Sequence, residues 1–213
     1  MKINTHIHPF TRVLKRVFDI ISSLVGLLVF IPIFPIIALL IKLDSPGPIV
    51  FRQLRIGTAW HSHTELFYML KFRSMRMDAE SKTGAKWATK DDPRITRIGK
   101  LLRKSRLDEL PQLINVLVGE MSLIGPRPER PGFYQTLETA IPFYAERTYG
   151  VTPGITGFAQ VNQGYDENLN DVRAKLAYDH AYALCLSNPF QWFLNDIHIA
   201  MKTVVVMIMG RGQ

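Results

Sequence analysis

Two adjacent carboxylates, Asp108 and Glu109, are the side chains of this sequence best suited to chemistry. Pro111 follows them and opens an apolar-periodic segment that ends at Gly119, a bracket typical of a helix. The pair therefore stands at a predicted helix N-terminus, where backbone N–H groups and the helix dipole favour anions. Because acidic residues are also ordinary caps at such positions, the location alone leaves a purely structural role open.

Basic residues accompany the acid pair. Six of them lie between residues 94 and 107 with no acidic residue before Asp108, and helical spacing directs Ile98, Leu101 and Leu102 towards a core. Arg127 follows in the segment IGPRP, where two prolines restrict the backbone and present a guanidinium suited to bidentate phosphate binding. A solvated helix face is the alternative explanation of the charge run. In combination, these residues suit phosphoryl chemistry, with a carboxylate as nucleophile or as ligand of a divalent ion.

Several other kinds of site are missing from the sequence. It contains no Walker-type phosphate loop and no Asp-x-Asp pair, which argues against P-loop enzymes and against the usual metal-bridging glycosyltransferase site. Cys185 is the only cysteine, so an intramolecular disulfide and a multi-cysteine metal site are excluded and a buried structural thiol is favoured. The pairs His6–His8 and His61–His63 have no third ligand nearby, and no role is assigned to them.

Composition points to a membrane surface. The 213 residues suit one domain, and 47% hydrophobic with 21% charged residues excludes a disordered or collagen-like chain. The net charge of +8 is spread along the chain while apolar residues are locally concentrated. That pattern favours an anionic membrane surface, with nucleic acid as the competing partner.

An uncharged run of 22 residues, from Ile20 to Ile41, is the candidate membrane segment. A straight helix of this length reaches about 33 Å, enough to cross a hydrocarbon core. Pro32 and Pro35 lie in its middle, however, and predict a sharp break. Basic residues flank both ends, which favours the cytoplasmic side for both. The sequence therefore favours a re-entrant hairpin over a spanning helix, and a buried core helix is the third alternative.

The rest of the chain predicts short strands and helices. Ile49–Arg52 and Leu66–Phe72 have the composition of two strands that could pair. Residues 76–93 are polar and predict a mobile surface loop or loosely held helix. The glycine-containing run at 151–164 predicts a loop with exposed backbone donors, and residues 172–209 predict helices that pack in the core or at an interface.

Six segments carry a resemblance to a known family; they are KRVFDIISS at 15–23, IKLDSPGPIVFRQLRIG at 41–57, KFRSM at 71–75, DPRITRIGKLLRKSRLDELPQLINVL at 92–117, GEMSLIGPRP at 119–128 and PGITGFAQVN at 153–162. In this order they resemble the bacterial sugar transferases, monotopic phosphoglycosyl transferases that initiate polysaccharide and glycoconjugate assembly. The resemblance covers nearly the whole chain.

The resemblance implies transfer of a sugar 1-phosphate from a UDP-sugar to polyprenyl (undecaprenyl) phosphate, with release of UMP. It implies that Asp108 attacks the sugar-bearing phosphorus to form a covalent phosphosugar intermediate. Glu109 would assist by proton transfer or by organising Mg²⁺, so both carboxylates are expected metal ligands.

The resemblance also suggests residues that bind the substrate. Arg103 and Arg127 would offset the charge of the phosphates. Lys71 and Asp179 match further family positions and are weaker candidates, because each could equally belong to a structural ion pair.

The expected fold is α+β and mainly helical, with an N-terminal re-entrant membrane hairpin, a small β-hairpin and helices at the membrane interface. One catalytic domain would span residues 1–213, comprising a basic segment at 1–16, the membrane helix at 17–43 and a catalytic region at 44–213. The expected location is the cytoplasmic face of the bacterial plasma membrane. Expected partners are the two substrates and membrane lipid, without nucleic acid, and a homo-oligomer is compatible with the sequence.

Some positions depart from the family pattern. Ile31 stands where a serine commonly precedes the proline of the membrane break, while Thr152, Phe158 and Gln163 replace a frequent arginine, tryptophan and glycine. The last three bear on nucleotide or sugar contacts rather than on the type of reaction.

Two other functions remain open from the residues. One is a membrane module that binds anionic lipid or nucleic acid without catalysis, which would give the acid pair no role. The other is a membrane phosphohydrolase that uses water in place of a lipid acceptor.

Overall fold

A computed structural model describes residues 6–79, 92–163 and 168–209. The helices in these ranges are α1 (Pro9–Phe30), α2 (Phe34–Asp44), α3 (Arg97–Lys104), α4 (Gln112–Val118), α5 (Pro131–Ala140), α6 (Phe158–Asn162), α7 (Leu169–Cys185) and α8 (Pro189–Ile208). The strands are β1 (Val50–Ala59), β2 (Thr64–Phe72), β3 (Ser122–Ile124) and β4 (Gly154–Thr156).

The described part of the chain is mainly helical with two small sheets, which confirms the α+β class. Strands β1 and β2 form the predicted hairpin, antiparallel, with Val50 opposite Phe72. The first strand is longer than predicted and continues to Ala59, with an irregularity after Ile56. Strands β3 and β4 form a second, parallel pair, in which Ser122 lies opposite Gly154.

The N-terminal apolar run is broken where a proline was predicted to break it. Helix α1 ends at Phe30 and α2 begins at Phe34, and the two axes are bent by 65°. Pro32 lies in the break, whereas Pro35 lies in the first turn of α2, where its missing N–H costs no hydrogen bond. Within the described ranges, no single helix is long and apolar enough to cross a membrane, and only this bent pair reaches that length and hydropathy jointly.

Helix α1 has an unusual distribution of polar and apolar residues. Its buried positions are Thr11, Asp19 and Ser23, while large apolar side chains of α1 such as Phe18 and Leu28 are 53% and 68% exposed. Exposed apolar residues continue through the break and along α2, and a second exposed apolar row runs along α8. We call the residues of these rows, in α1, the break, α2 and α8, the apolar surface; its members include Phe18, Leu28, Ile31, Leu39, Leu43, Phe193, Met201 and Met207. An exposed surface of this extent is typical of contact with lipid or another protein.

Polar contacts fasten α1 to the rest of the fold. Asp19 accepts hydrogen bonds from the Ser122 hydroxyl at 3.1 Å and from the Leu123 amide at 2.9 Å. Lys15 forms an ion pair with Asp196 of α8 at 3.1 Å. The α1 helix thus uses its polar face for packing and leaves its apolar face outside.

The basic segment before the acid pair forms α3, and one of its predicted core residues is not in the core. Leu102 is buried and Ile98 packs beside it against Ile37 and Ile41 of α2, but Leu101 is 58% exposed. The prediction for Leu101 is wrong because α3 is only two turns long and meets the core along the line of Ile98 and Leu102. The carboxylate of Asp44 accepts a hydrogen bond from the Ile98 amide at 2.9 Å, which joins the end of α2 to the first turn of α3.

The C-terminal half contains the two predicted helices α7 and α8. The segment at 151–164, which was predicted to be a loop, instead contains β4 and α6, because residues of β4 find their hydrogen-bond partners on β3.

Of the polar segment predicted to be mobile at 76–93, residues 80–91 lie outside the described residues.

Candidate active site

Asp108 and Glu109 lie in a short 3₁₀ turn, Leu107–Glu109, which joins α3 to α4. Arg106 starts this turn with a left-handed backbone, at φ 60°, which is uncommon for a residue other than glycine. Pro111 precedes the first residue of α4, and Gly119 ends the helix with φ 96°, as the sequence predicted. This 3₁₀ turn places both carboxylates in the interior of the protein, where each residue is 7% exposed.

Glu109 is surrounded by cations. Its Oε1 lies 3.1 Å from Nζ of Lys71 and 3.0 Å from Nη2 of Arg127, and its Oε2 lies 3.6 Å from Nη1 of Arg106. Burial alone would raise the pKa of Glu109, but the three cations outweigh burial and hold the pKa well below its usual range. Glu109 is therefore ionised at every physiological pH.

Asp108 has the opposite electrostatic environment. Its Oδ1 is buried and has no hydrogen-bond partner within the described residues. Burial raises the pKa of Asp108 to about 6, and the adjacent charge of Glu109 adds to that effect. Lys71, Arg103 and Arg106 oppose the rise. At pH 7 the group is mostly a carboxylate, and no described residue donates a hydrogen bond to its Oδ1.

Lys71 and Arg127 reach Glu109 from different parts of the chain. Lys71 lies near the end of β2, and burial lowers the pKa of its amine to about 8 although the charge of Glu109 opposes the shift. Arg127 lies in the loop after β3, and its carbonyl accepts a hydrogen bond from Nη2 of Arg147 at 3.0 Å. Arg147 in turn pairs with Asp179 of α7 at 2.9 Å, so the predicted residue Asp179 serves as a buried counter-ion.

All six predicted substrate-site residues line one cavity of about 420 Å³; they are Lys71, Arg103, Asp108, Glu109, Arg127 and Asp179. We call it the polar cavity. Among its described lining residues, lysines and arginines outnumber carboxylates, so a polyanion would be attracted to it. Pro32 and Pro35 do not line it and belong to the break between α1 and α2.

Of the nine arginines among the described residues that line this cavity, the sequence analysis assigned only Arg103 and Arg127 to the site. Arg55 and Arg147 are two of those that it missed. Arg55 donates to the Pro128 carbonyl at 2.9 Å, and burial lowers its pKa to about 10, with Glu129 opposing. It stands within the FRQLRIG motif, which could have drawn attention to it. Arg147 has no sequence signal, because its role depends on Asp179, which lies 32 residues away along the chain.

The arrangement can bind phosphates and offer a carboxylate to one of them. The arginines and Lys71 on the cavity wall would neutralise phosphate oxygens, and Asp108, whose Oδ1 has no hydrogen-bond partner among the described residues, lines the same cavity. This combination suits nucleophilic attack on phosphorus.

A divalent ion fits this pair through Asp108. Mg²⁺ is commonly bound by one or two carboxylates together with substrate phosphates and water. Within the described ranges, no cluster of three or more His, Cys, Asp or Glu residues could hold a metal alone. Oδ1 of Asp108 has no hydrogen-bond partner among the described residues, whereas both oxygens of Glu109 already face cations. Phosphate oxygens of a substrate would have to complete the coordination.

Comparison with known proteins gives one family. The sequence profile described as bacterial sugar transferase matches residues 10–210. The chain is 42% identical over 204 residues to the UDP-N-acetylgalactosamine-undecaprenyl-phosphate N-acetylgalactosaminephosphotransferase of Aeromonas hydrophila, covering 96% of this chain and 46% of that protein. It is 39% identical over 203 residues to the UDP-glucose:undecaprenyl-phosphate glucose-1-phosphate transferase of Escherichia coli, covering 94% of this chain and 41% of that protein.

A relative of similar length is also found. The exopolysaccharide production protein PSS of Rhizobium leguminosarum bv. phaseoli is 43% identical over 206 residues, with 94% of this chain and 98% of that protein covered. The chain thus spans less than half the length of the first two relatives and nearly all of the third.

Proposed function

Because the chain belongs to the bacterial sugar transferase family, we propose that it transfers a sugar 1-phosphate from a UDP-sugar to a polyprenyl phosphate. The observation that carries the proposal is the buried, unpartnered Oδ1 of Asp108 in a cavity lined by arginines. The names of two relatives include a UDP-sugar donor and undecaprenyl phosphate, which supports the choice of both substrates.

The reaction would proceed in two displacements at one phosphorus. A carboxylate oxygen of Asp108 attacks the sugar-bearing phosphorus of the donor, and the bond from that phosphorus to the bridging oxygen breaks. UMP leaves with the bridging oxygen, and the sugar phosphate stays on Asp108 as an acyl phosphate. A phosphate oxygen of the acceptor then attacks the same phosphorus, the Asp108 carboxylate is released, and the product is a polyprenyl diphosphate sugar.

The neighbouring residues would bind and neutralise rather than carry protons. Glu109 stays ionised because Lys71, Arg127 and Arg106 surround it, so it would hold these cations in place for the phosphates. That geometry favours a positioning role for Glu109 over proton transfer. Arg103 lines the same cavity and would add charge on the side of α3.

We further propose Mg²⁺ as the cofactor, held by Asp108 and the donor phosphates. The ion would neutralise charge on the departing UMP phosphate. Glu109 would contribute a ligand only by exchanging one of its three cations.

The relatives do not agree on the identity of the transferred sugar, because their names specify N-acetylgalactosamine in one case and glucose in the other. Of the described residues that line the polar cavity, none is Thr152, Phe158 or Gln163, although Ala159 and Gln160 line it beside Phe158. The departures at these three positions would therefore act on sugar choice only through their neighbours.

The bent pair α1–α2 is proposed as a re-entrant hairpin in the cytoplasmic leaflet of the bacterial plasma membrane. Its 65° bend and its exposed apolar residues support a segment that enters and leaves on one side. Lys42 at the end of α2 and the basic residues at the start of α1 favour the cytoplasmic side for both ends.

The test of the reaction is UMP release by wild type and by Asp108→Asn, with Glu138→Gln as a control that neutralises an exposed carboxylate outside the polar cavity. With the correct UDP-sugar and Mg²⁺ but no acceptor, wild type should release about one UMP per protein molecule and gain the mass of the sugar phosphate on the peptide containing Asp108. Asp108→Asn should do neither, and the control should match wild type.

Two results would contradict the proposal. Continuous release of free sugar phosphate without acceptor would indicate the phosphohydrolase. A folded protein that releases no UMP with any UDP-sugar, yet binds anionic lipid equally well as Asp108→Asn, would indicate the non-catalytic binding module.

A further inference from the structure

A second cavity of about 370 Å³ lies between α1, α4, α6 and α8. Its walls are mostly apolar and include Leu113 of α4, Ile155 of β4 and Val161 of α6. Small residues of the outer helices, Ser22 of α1 and Ala200 of α8, also line it. We call it the apolar cavity.

The apolar cavity and the polar cavity share a wall. Arg106, Glu109 and Gln160 line both of them. An apolar ligand in the second cavity would therefore end next to the cations that surround Glu109. Arg106 is the cation on this wall, and Lys71 and Arg127, which line the polar cavity directly beyond it, face the same carboxylate of Glu109.

The other end of the apolar cavity reaches the apolar surface. Phe18 of α1 and Met207 of α8 line the cavity, yet they are 53% and 43% exposed on the outer faces of their helices. A ligand could thus extend from the apolar surface, between α1 and α8, to the shared wall and the cations that face Glu109 there.

We propose that the apolar cavity binds the first isoprene units of the lipid acceptor, with the acceptor phosphate at the shared wall and the remaining chain outside along the apolar surface. This proposal rests on the proposed function. Charge and shape together point to this occupant: a long apolar chain with an anionic end matches an apolar channel that ends at cations. A volume of about 370 Å³ is within the ~300–1,000 Å³ of small-molecule sites, so the cavity would hold only the part of the chain nearest the phosphate.

The proposal separates the two substrates in space. The donor would occupy the polar cavity and the acceptor chain the apolar one, and the two would meet only at the shared wall. Acceptor affinity would then depend on residues of α1 and α8 that contact no part of the donor.

Two variants test this by filling the apolar cavity from opposite sides, Ala200→Phe from α8 and Ser22→Leu from α1. The matched control is Leu184→Phe, which adds the same ring at an exposed position of α7 that lines neither cavity and lies outside the apolar surface. The first measurement is the KM for polyprenyl phosphates of increasing chain length, in nanodiscs, with thermal unfolding to show that each variant is folded. In wild type, KM should fall as the first isoprene units are added, because each unit that enters the cavity buries further apolar area. In either filled variant, the KM should rise about tenfold or more and lose this dependence on chain length.

The second measurement needs no turnover. A polyprenyl phosphate with a photoreactive diazirine in its first isoprene unit should label peptides of α1 and α8 in wild type and Leu184→Phe, and much less in Ala200→Phe. Labelling elsewhere, equal labelling in all variants, or a crosslinked second copy of the chain in place of the lipid would overturn the proposal. Absence of UMP release from wild type would instead overturn the proposed function, while the labelling pattern would still decide the site.

Discussion

Replacing Glu109 by glutamine should move both limbs of the pH–rate profile in the same direction. In wild type, the acidic limb should lie near pH 6, where Asp108 becomes protonated and loses its nucleophilic form. The basic limb should lie near pH 8, where Lys71 loses the proton that makes it a phosphate-binding cation. Glutamine keeps the shape of the side chain and removes one negative charge from between these two groups.

The size of the shift follows from the contacts. Nζ of Lys71 lies 3.1 Å from Oε1 of Glu109, and an opposite charge at such a distance changes a pKa by roughly 1–3 units. Without it, burial would lower the pKa of Lys71 from about 8 to roughly 5–7, so the amine would be largely neutral at pH 7.5. The pKa of Asp108 should fall as well, because the charge of Glu109 is the second cause of its rise after burial. Both limbs therefore move to lower pH, and the optimum moves with them.

The assay is the rate of the UMP burst across about pH 5 to pH 10, measured in wild type, Glu109→Gln and Glu109→Asp, which keeps the charge. Lys71→Arg is a further control, since arginine does not titrate in this range and the basic limb should disappear. Carbon NMR of the ¹³C-methylated lysine gives the pKa of Lys71 directly.

Two results would refute this reasoning. If Glu109 carried a proton in the reaction, its replacement would abolish one limb and leave the other in place. If both limbs stayed where they are in wild type, the charge of Glu109 would not control the pKa values of Asp108 and Lys71.

Two further predictions concern the surroundings of the site. Arg147→Met should destabilise the protein by about 3–5 kcal/mol, because it leaves the buried Asp179 carboxyl without the cation that opposes the rise of its pKa on burial. The double variant Arg147→Met with Asp179→Leu should recover much of that stability but not the activity, since the hydrogen bond to the Arg127 carbonyl is still missing. Urea unfolding and the UMP assay separate the two effects; equal stability of the single and double variants would contradict the ion pair. In a Cys185→Ser background, cysteines engineered near Lys2 and Gln213 should both react with a membrane-impermeant thiol reagent only after the cytoplasmic side is opened. Labelling of position 2 from the periplasmic side alone would establish a spanning helix and exclude the re-entrant hairpin.

The sequence predicted those structural elements that depend on residues close together in the chain. The break at Pro32 and the helix from Pro111 to Gly119 follow from backbone restrictions within a few residues, and both are present. The hairpin of β1 and β2 was predicted for the same reason, although its length was underestimated at the β1 end.

Features that depend on distant contacts were missed. The parallel pair β3–β4 joins Ser122 to Gly154, and glycine-rich sequence alone gave no indication of it. Arg147 became visible only through its contacts with Asp179 and Arg127. Leu101 was assigned to the core by helical spacing, but spacing cannot tell how many turns of a helix meet a neighbour.

For the acid pair, sequence predicted position but not environment. Asp108 and Glu109 are chemically similar neighbours, and nothing in their order says which one will face cations. Contacts with Lys71 and Arg127, 38 and 18 residues away along the chain from Glu109, make one carboxylate permanently ionised. The other keeps a raised pKa and an available oxygen.

The polar face of α1 has a consequence for biosynthesis. Arg16 donates hydrogen bonds to the Val116 and Leu117 carbonyls at the end of the helix that follows the acid pair, and Asp19 holds the start of β3. Helix α1 is therefore an integral part of the fold. It precedes α4, β3 and α8 in the chain, so its polar groups are satisfied only after those elements have been synthesised. The protein is thus expected to mature only after synthesis of α8, and a form without α1 and α2 should be degraded rather than accumulate.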